Sequence, residues 1–187
     1  MIAPIRRIGV IGAESSGKTT LALSLAQELN AMGTPAVVVP EYLRTWCEAN
    51  SRTPTLVEQA EIVRGQIEAE DQMAAENPGA VLVCDPAVLM TALYSHLYFD
   101  RPVEFDPQIA QRYSDLVWCD IDIDWEPDPL RDGEHFRIRM HEVISSNQEP
   151  LQRASGANVY LVSGTVYERV HGALATGFGR RGNPISP

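Results

Sequence analysis

The feature that most constrains the fold is Gly12-Ala13-Glu14-Ser15-Ser16-Gly17-Lys18-Thr19, a full match to the phosphate-cradling pattern G-x-x-x-x-G-K-[ST]. Such a loop works between a buried strand and a helix N-terminus, because backbone N–H groups and the helix dipole must converge on one anion. The flanks comply. Arg7 to Ile11 reads as a short apolar strand, and Lys18 to Asn30 as a helix with Leu21, Leu23, Leu25 and Leu29 on or near its inner side. Lys18 is also the only lysine in the chain, beside 14 arginines. A slim ammonium suits a phosphate cradle better than a broad, planar guanidinium, which argues against a chance match.

The loop predicts ATP binding through Gly12, Glu14, Ser15, Ser16, Gly17, Lys18, Thr19 and Thr20. Lys18 is expected to reach the β- and γ-phosphates, and the Thr19 hydroxyl to ligate Mg²⁺.

Further along, Ala36 to Val39, Val81 to Cys84, Leu116 to Ile123 and Val159 to Val162 read as strands. Tyr42 to Ala49, Ala87 to Tyr98 and Glu134 to Arg153 read as helices between them. Another helix opens at Thr53-Pro54 or at a Thr55/Glu58 capping box, with Leu56, Ala60, Val63 and Ile67 on one face. Thr165 and Glu168 cap a last one. Continuous apolar strands alternating with helices predict an α/β fold: a three-layer P-loop NTPase, nucleotide-kinase-like, with a five-stranded parallel sheet covered on both faces. One domain over residues 1–176 is expected, followed by a disordered Gly/Pro-rich tail at 177–187.

In such sheets ligands bind at the carboxyl ends of the strands, and the polar residues gather there. Asp85 ends a buried strand, where a carboxylate holds Mg²⁺ or caps the next helix. Glu41 ends another and is placed to take a proton from a substrate hydroxyl. The residues leave open which of the two is the base. Tyr42 and Trp46, four apart, would share a helix face as an aromatic wall or as core. Arg131, in the Pro-rich loop Trp125–Gly133, is the favoured cation for the transition state, ahead of Arg137 and Arg139. Asp120, Asp122 and Asp124 would alternate onto one strand face, read as a solvated strand end rather than a metal site.

Composition removes other classes. A net charge of −10 argues against nucleic-acid or anionic-membrane partners. No apolar run reaches the roughly 18 residues of a membrane span. No signal peptide is recognisable, and Cys47, Cys84 and Cys119 fit buried thiols in a cytoplasmic protein. The lone lysine removes any Asn-Lys-x-Asp guanine-reading motif. Pro86, not a glutamate, follows Asp85, unlike many ATPase motors. A small phosphotransferase remains, its acceptor a nucleoside or another small metabolite, with a nucleotide-sensing regulatory module as the rival from a different class.

Several segments carry a family resemblance. They are the loop Gly12 to Thr19, then Pro40-Glu41-Tyr42-Leu43-Arg44, Gln59 with Gly65-Gln66, and Cys84-Asp85 with Thr91 and Tyr94. Asp124-Trp125-Glu126-Pro127-Asp128-Pro129-Leu130-Arg131 completes the set. Together, over roughly residues 7 to 172, they resemble the kinase domain of the NadR-like ribosylnicotinamide kinase family. The resemblance implies transfer of the ATP γ-phosphate to the ribose 5′-hydroxyl of nicotinamide riboside, with ATP and Mg²⁺ as cofactors. It implies substrate contacts from Glu41, Tyr42, Arg44, Trp46, Asp85 and Trp125. The nucleotidylyltransferase and helix-turn-helix domains of larger members are not expected here. A positive pyridinium would favour aromatic faces and acidic neighbours.

Overall fold

The computed structural model describes residues 6–125 and 133–175. Strands β1 (Arg7–Gly12), β2 (Ala36–Val39), β3 (Val81–Cys84), β4 (Asp115–Cys119) and β5 (Asn158–Val162) form one parallel sheet, ordered β2-β3-β1-β4-β5. The connecting helices are α1 (Lys18–Ala31), α2 (Tyr42–Asn50), α3 (Gln59–Glu76), α4 (Met90–Phe99), α5 (Pro107–Ala110), α6 (Gly133–Ser146), α7 (Gln148–Ser155) and α8 (Val166–Ala173).

The expected three-layer α/β arrangement follows from strands that are apolar in both phases of their alternation. Ile8, Val10, Val81, Val83 and Val117 pack on one side with Leu21, Leu25 and Leu29 of α1 and Val170 of α8. Ile11, Leu82, Leu116 and Trp118 pack on the other, against α4, α6 and α7 through Leu93, Ile144 and Leu151. Each fully buried Leu or Ile here stabilises the fold by about 1.5–3 kcal/mol. Cys47, Cys84 and Cys119 are buried free thiols. Among the described residues, no helix is long and apolar enough to cross a membrane.

Several expectations need correction. Leu23 is 57% exposed. The buried stripe of α1 is Leu21, Ala22, Leu25, Ala26 and Leu29, and Leu23 lies across the helix from it. The Thr55/Glu58 capping box forms, but it opens a short 3-10 turn, Leu56–Glu58, that runs into α3. Leu56 and Ala60 are exposed, while α3 buries Ile62 and two polar residues, Gln66 and Glu70. Both polar groups have partners. Gln66 Oε1 accepts the Tyr42 N–H at 2.8 Å, and Glu70 Oε1 accepts the Tyr113 hydroxyl at 2.5 Å.

The helix expected from Ala87 begins at Met90, because the Ala87 N–H bonds Val10 O and the Val88 N–H bonds the Tyr113 hydroxyl. The strand expected to reach Ile123 stops at Cys119. Its neighbours β1 and β5 both end in register there, Gly12 and Val162 against Cys119, and past the bond from the Asp120 N–H to Val162 O no ladder partner remains. Asp120, Asp122 and Asp124 therefore share no strand face. The long helix expected over Glu134 to Arg153 breaks at Asn147 into α6 and α7. Pro150 cannot sit inside a continuous helix, and the restart at Gln148 puts it in a first turn, where its missing N–H is tolerated. The tail expected at 177–187 lies outside the described residues.

Candidate active site

The phosphate loop leaves β1 and enters α1 through Gly17, whose φ of 81° is left-handed. The loop closes on the Ala13 carbonyl, which accepts the Ser16 hydroxyl at 2.8 Å and the Lys18 ammonium at 2.6 Å. No side chain caps α1 and no acid stands in its first turn. Its leading N–H groups and positive dipole end are thus available to an anion. Thr19 and Thr20 lie exposed on that first turn.

A residue that sequence reasoning missed holds this loop from behind. Arg169 of α8 is 3% exposed. Its guanidinium donates to Ser16 O at 2.6 Å, to Gly164 O at 3.0 Å and to Asp120 O at 3.3 Å, and pairs with Asp122. Nothing local in the sequence marks Arg169. It reads as one of many arginines until the sheet order puts α8 beside α1.

Topology gathers the acids. β2, β3 and β1 are consecutive in the sheet, with Val39 against Cys84 and Gly9 against Cys84. Glu41, Asp85 and the phosphate loop therefore follow one another along the carboxyl edge. Asp85 is 4% exposed. Burial pushes the Cys119 thiol up to about 11. Lys18 and Arg169 draw it back, and Asp85 adds to the rise. Glu41 opens α2, a junction pinned by Gln66 and by Tyr42, whose ring lies against Gly65. A Cβ on Gly65 would stand 2.2 Å from that ring.

Between these elements lies a cavity of about 430 Å³. Lys18, Glu14 and Glu41 line one part of it, with Arg44 3 residues on and 4.0 Å from Glu41 Oε2. Tyr94, Tyr98 and Phe99 of α4 supply its aromatic lining, with Thr91, Gln59 and Cys47. Tyr94 and Tyr98 stack with centroids 6.1 Å apart, and Tyr98 stacks on Phe136 of α6 at 5.5 Å.

Four of the expected site residues, Glu14, Lys18, Glu41 and Arg44, thus meet around one cavity. Tyr42 and Trp46 do not line it. Trp46 is 7% exposed and packs with Cys47 and Ile62, its indole donating to Glu61 at 3.2 Å. The α2 face turned to the cavity is Leu43 and Cys47, one residue further round the helix, and α4 provides the aromatics instead. Asp85 borders the loop rather than the cavity, and half-buried Trp125 is not among the lining residues. Arg131 lies outside the described residues. Buried Arg137 donates to the Ile121 and Ile123 carbonyls at 3.1 and 2.5 Å, and Arg139 lies over the Phe136 ring.

Comparison with known proteins bears on the fold that carries this site. A family model described as an AAA domain matches residues 7–169. A structure of NadR protein in complex with NR is 22% identical, with a TM-score of 0.66 over 98% of this chain. NadR protein in complex with NAD and AMP-PNP is 20% identical, with a TM-score of 0.68 over 98% of this chain. This chain spans about half of those two, 52% of each. Thymidylate kinase from Candida albicans is 12% identical, with a TM-score of 0.64 covering 92% of this chain and 91% of that one. At these identities the likeness is one of fold: a P-loop kinase fold. No curated protein matches the chain.

Proposed function

The chain belongs to the AAA domain family, and from that premise we propose that it is an ATP-dependent kinase of a small molecule. The acceptor we assign is the ribose 5′-hydroxyl of nicotinamide riboside, with nicotinamide mononucleotide as product, and residues 1–176 act as one kinase domain. The observation that carries the reading is the cavity, which joins the phosphate-loop lysine Lys18 to an acid, Glu41, and to an aromatic wall. A nucleotide sensor needs the first of these but has no use for the other two.

In this reading the loop N–H groups and Lys18 hold the β- and γ-phosphates. Glu41 takes the proton of the acceptor hydroxyl as that oxygen attacks the γ-phosphorus and the bond to ADP breaks. Nucleoside-sized acceptors fit the cavity, and its aromatic lining with two acids nearby suits a pyridinium cation. Among the described residues no group of three or more His, Cys, Asp or Glu can hold a metal by itself. Thr19, exposed on the first turn of α1, and Asp85, just past the end of β3, are hard oxygen donors that would hold Mg²⁺ together with the substrate phosphates. When bound, Mg²⁺ would neutralise charge developing on the phosphates.

A coupled ADP-release assay over a nucleoside panel with Mg²⁺ tests the proposal. Release that depends on nicotinamide riboside is expected. Release driven better by a neutral nucleoside would reassign the acceptor, and tight ATP binding with no acceptor dependence would mark a sensor.

A further inference from the structure

Glu14 stands in the phosphate loop, but its environment is not one a nucleotide phosphate would favour. The residue is 8% exposed, and its Oε2 has no hydrogen-bond partner. A buried carboxylate oxygen without a donor is unfavourable, and an ionised carboxylate can only accept. The residue is one of those lining the cavity, with Lys18, Glu41 and Thr91. The loop does not need it for its own shape, since Ser16 and Lys18 close it through the Ala13 carbonyl. A triphosphate would be repelled by it.

We infer that Glu14 receives a hydrogen bond from a second hydroxyl of the acceptor, so that the site selects polyhydroxylated, nucleoside-like acceptors over simple alcohols. Glu14 then serves the acceptor rather than the nucleotide. One hydroxyl is held by Glu14 while another loses its proton to Glu41. The inference rests on reading the cavity as the acceptor site.

The test is isothermal titration of the full chain, saturated with a non-hydrolysable ATP analogue, against nicotinamide riboside and its 2′-deoxy and 3′-deoxy analogues. Wild type, Glu14→Gln and Glu14→Ala are compared, the first variant being isosteric and safe for folding. Wild type is expected to bind one deoxy analogue about ten- to a hundredfold more weakly than the riboside. Glu14→Ala should bind that analogue and the riboside alike, with Glu14→Gln between, and the ATP-analogue affinity should hold or tighten in both variants. A deoxy penalty that survives in Glu14→Ala overturns the inference and leaves the kinase reading standing. So does a loss of nucleotide affinity with acceptor discrimination intact. If wild type binds none of the three nucleosides, the acceptor reading itself fails and the inference falls with it.

Discussion

Arg169 Nη1 donates to the Ser16 carbonyl at 2.6 Å, tying α8 to the phosphate loop across 153 residues of sequence. The loop's shape is thus set from outside as well as by its glycines. The same guanidinium reaches the Gly164 and Asp120 carbonyls through its other two nitrogens, a spread that the single nitrogen of an ammonium does not match. Arg169→Lys is expected to weaken ATP-analogue binding about tenfold and to lower unfolding stability by about 1–3 kcal/mol. Calorimetry and urea denaturation measure the two. Wild-type nucleotide affinity in the variant would mean that the loop holds its shape unaided.

Asp122 anchors Arg169 in turn. Burial pushes the Asp122 carboxyl up, but the Gly164 N–H and the Arg169 guanidinium outweigh it and hold the group below the usual carboxylate range. A depressed carboxylate stabilises the fold above its unfolded pKa of about 4, and that stability is lost as the pH falls through the lower folded value. The difference in Tm between wild type and Asp122→Asn should be full at pH 7 and shrink as the pH drops below about 4. A difference that stays constant across that range would show that Asp122 acts through packing and not through charge.

The two acids should separate by kinetics. Glu41→Gln is expected to lower kcat about 10²- to 10⁴-fold while ATP-analogue affinity persists. Asp85→Asn should also cut turnover strongly, but with a raised Mg²⁺ requirement that added Mg²⁺ partly relieves. Wild-type rates in Glu41→Gln would remove it as the base.

The aromatic residues divide the same way. Tyr94→Leu is expected to raise KM for nicotinamide riboside about tenfold, with less effect on kcat. Trp46→Ala should instead cost about 3–5 kcal/mol of stability, read by denaturation, and leave the order of preference among nucleosides unchanged. The reverse pattern would restore Trp46 to the acceptor site.

Local chemistry alone was enough for much of this protein. A strand, a full phosphate-loop motif and a following helix are contiguous, so Gly12 to Thr19 are readable as a unit. β3 and its terminal Asp85 follow from an apolar run ending in an acid. The alternation of apolar strands with helices predicts the parallel sheet, because only strands buried on both faces read that way.

What the sequence did not contain is the relation between segments far apart in it. Tyr42 and Trp46 share a helix face with either reading, and only the packing of α2 on α3 decides that this face is core. The residues beside them, Leu43 and Cys47, line the cavity instead, and α4 supplies the aromatics. The apparent strand from Asp120 to Ile123 alternates well, yet it has no neighbour beyond Gly12 on one side and Val162 on the other to pair with. Arg169 carries no local signal for its place, and the motif places Glu14 in the loop without showing that its carboxyl is buried. A motif fixes which groups face a ligand within a few residues of chain, whereas burial and hydrogen bonding across the sheet exist only once β2-β3-β1-β4-β5 are ordered.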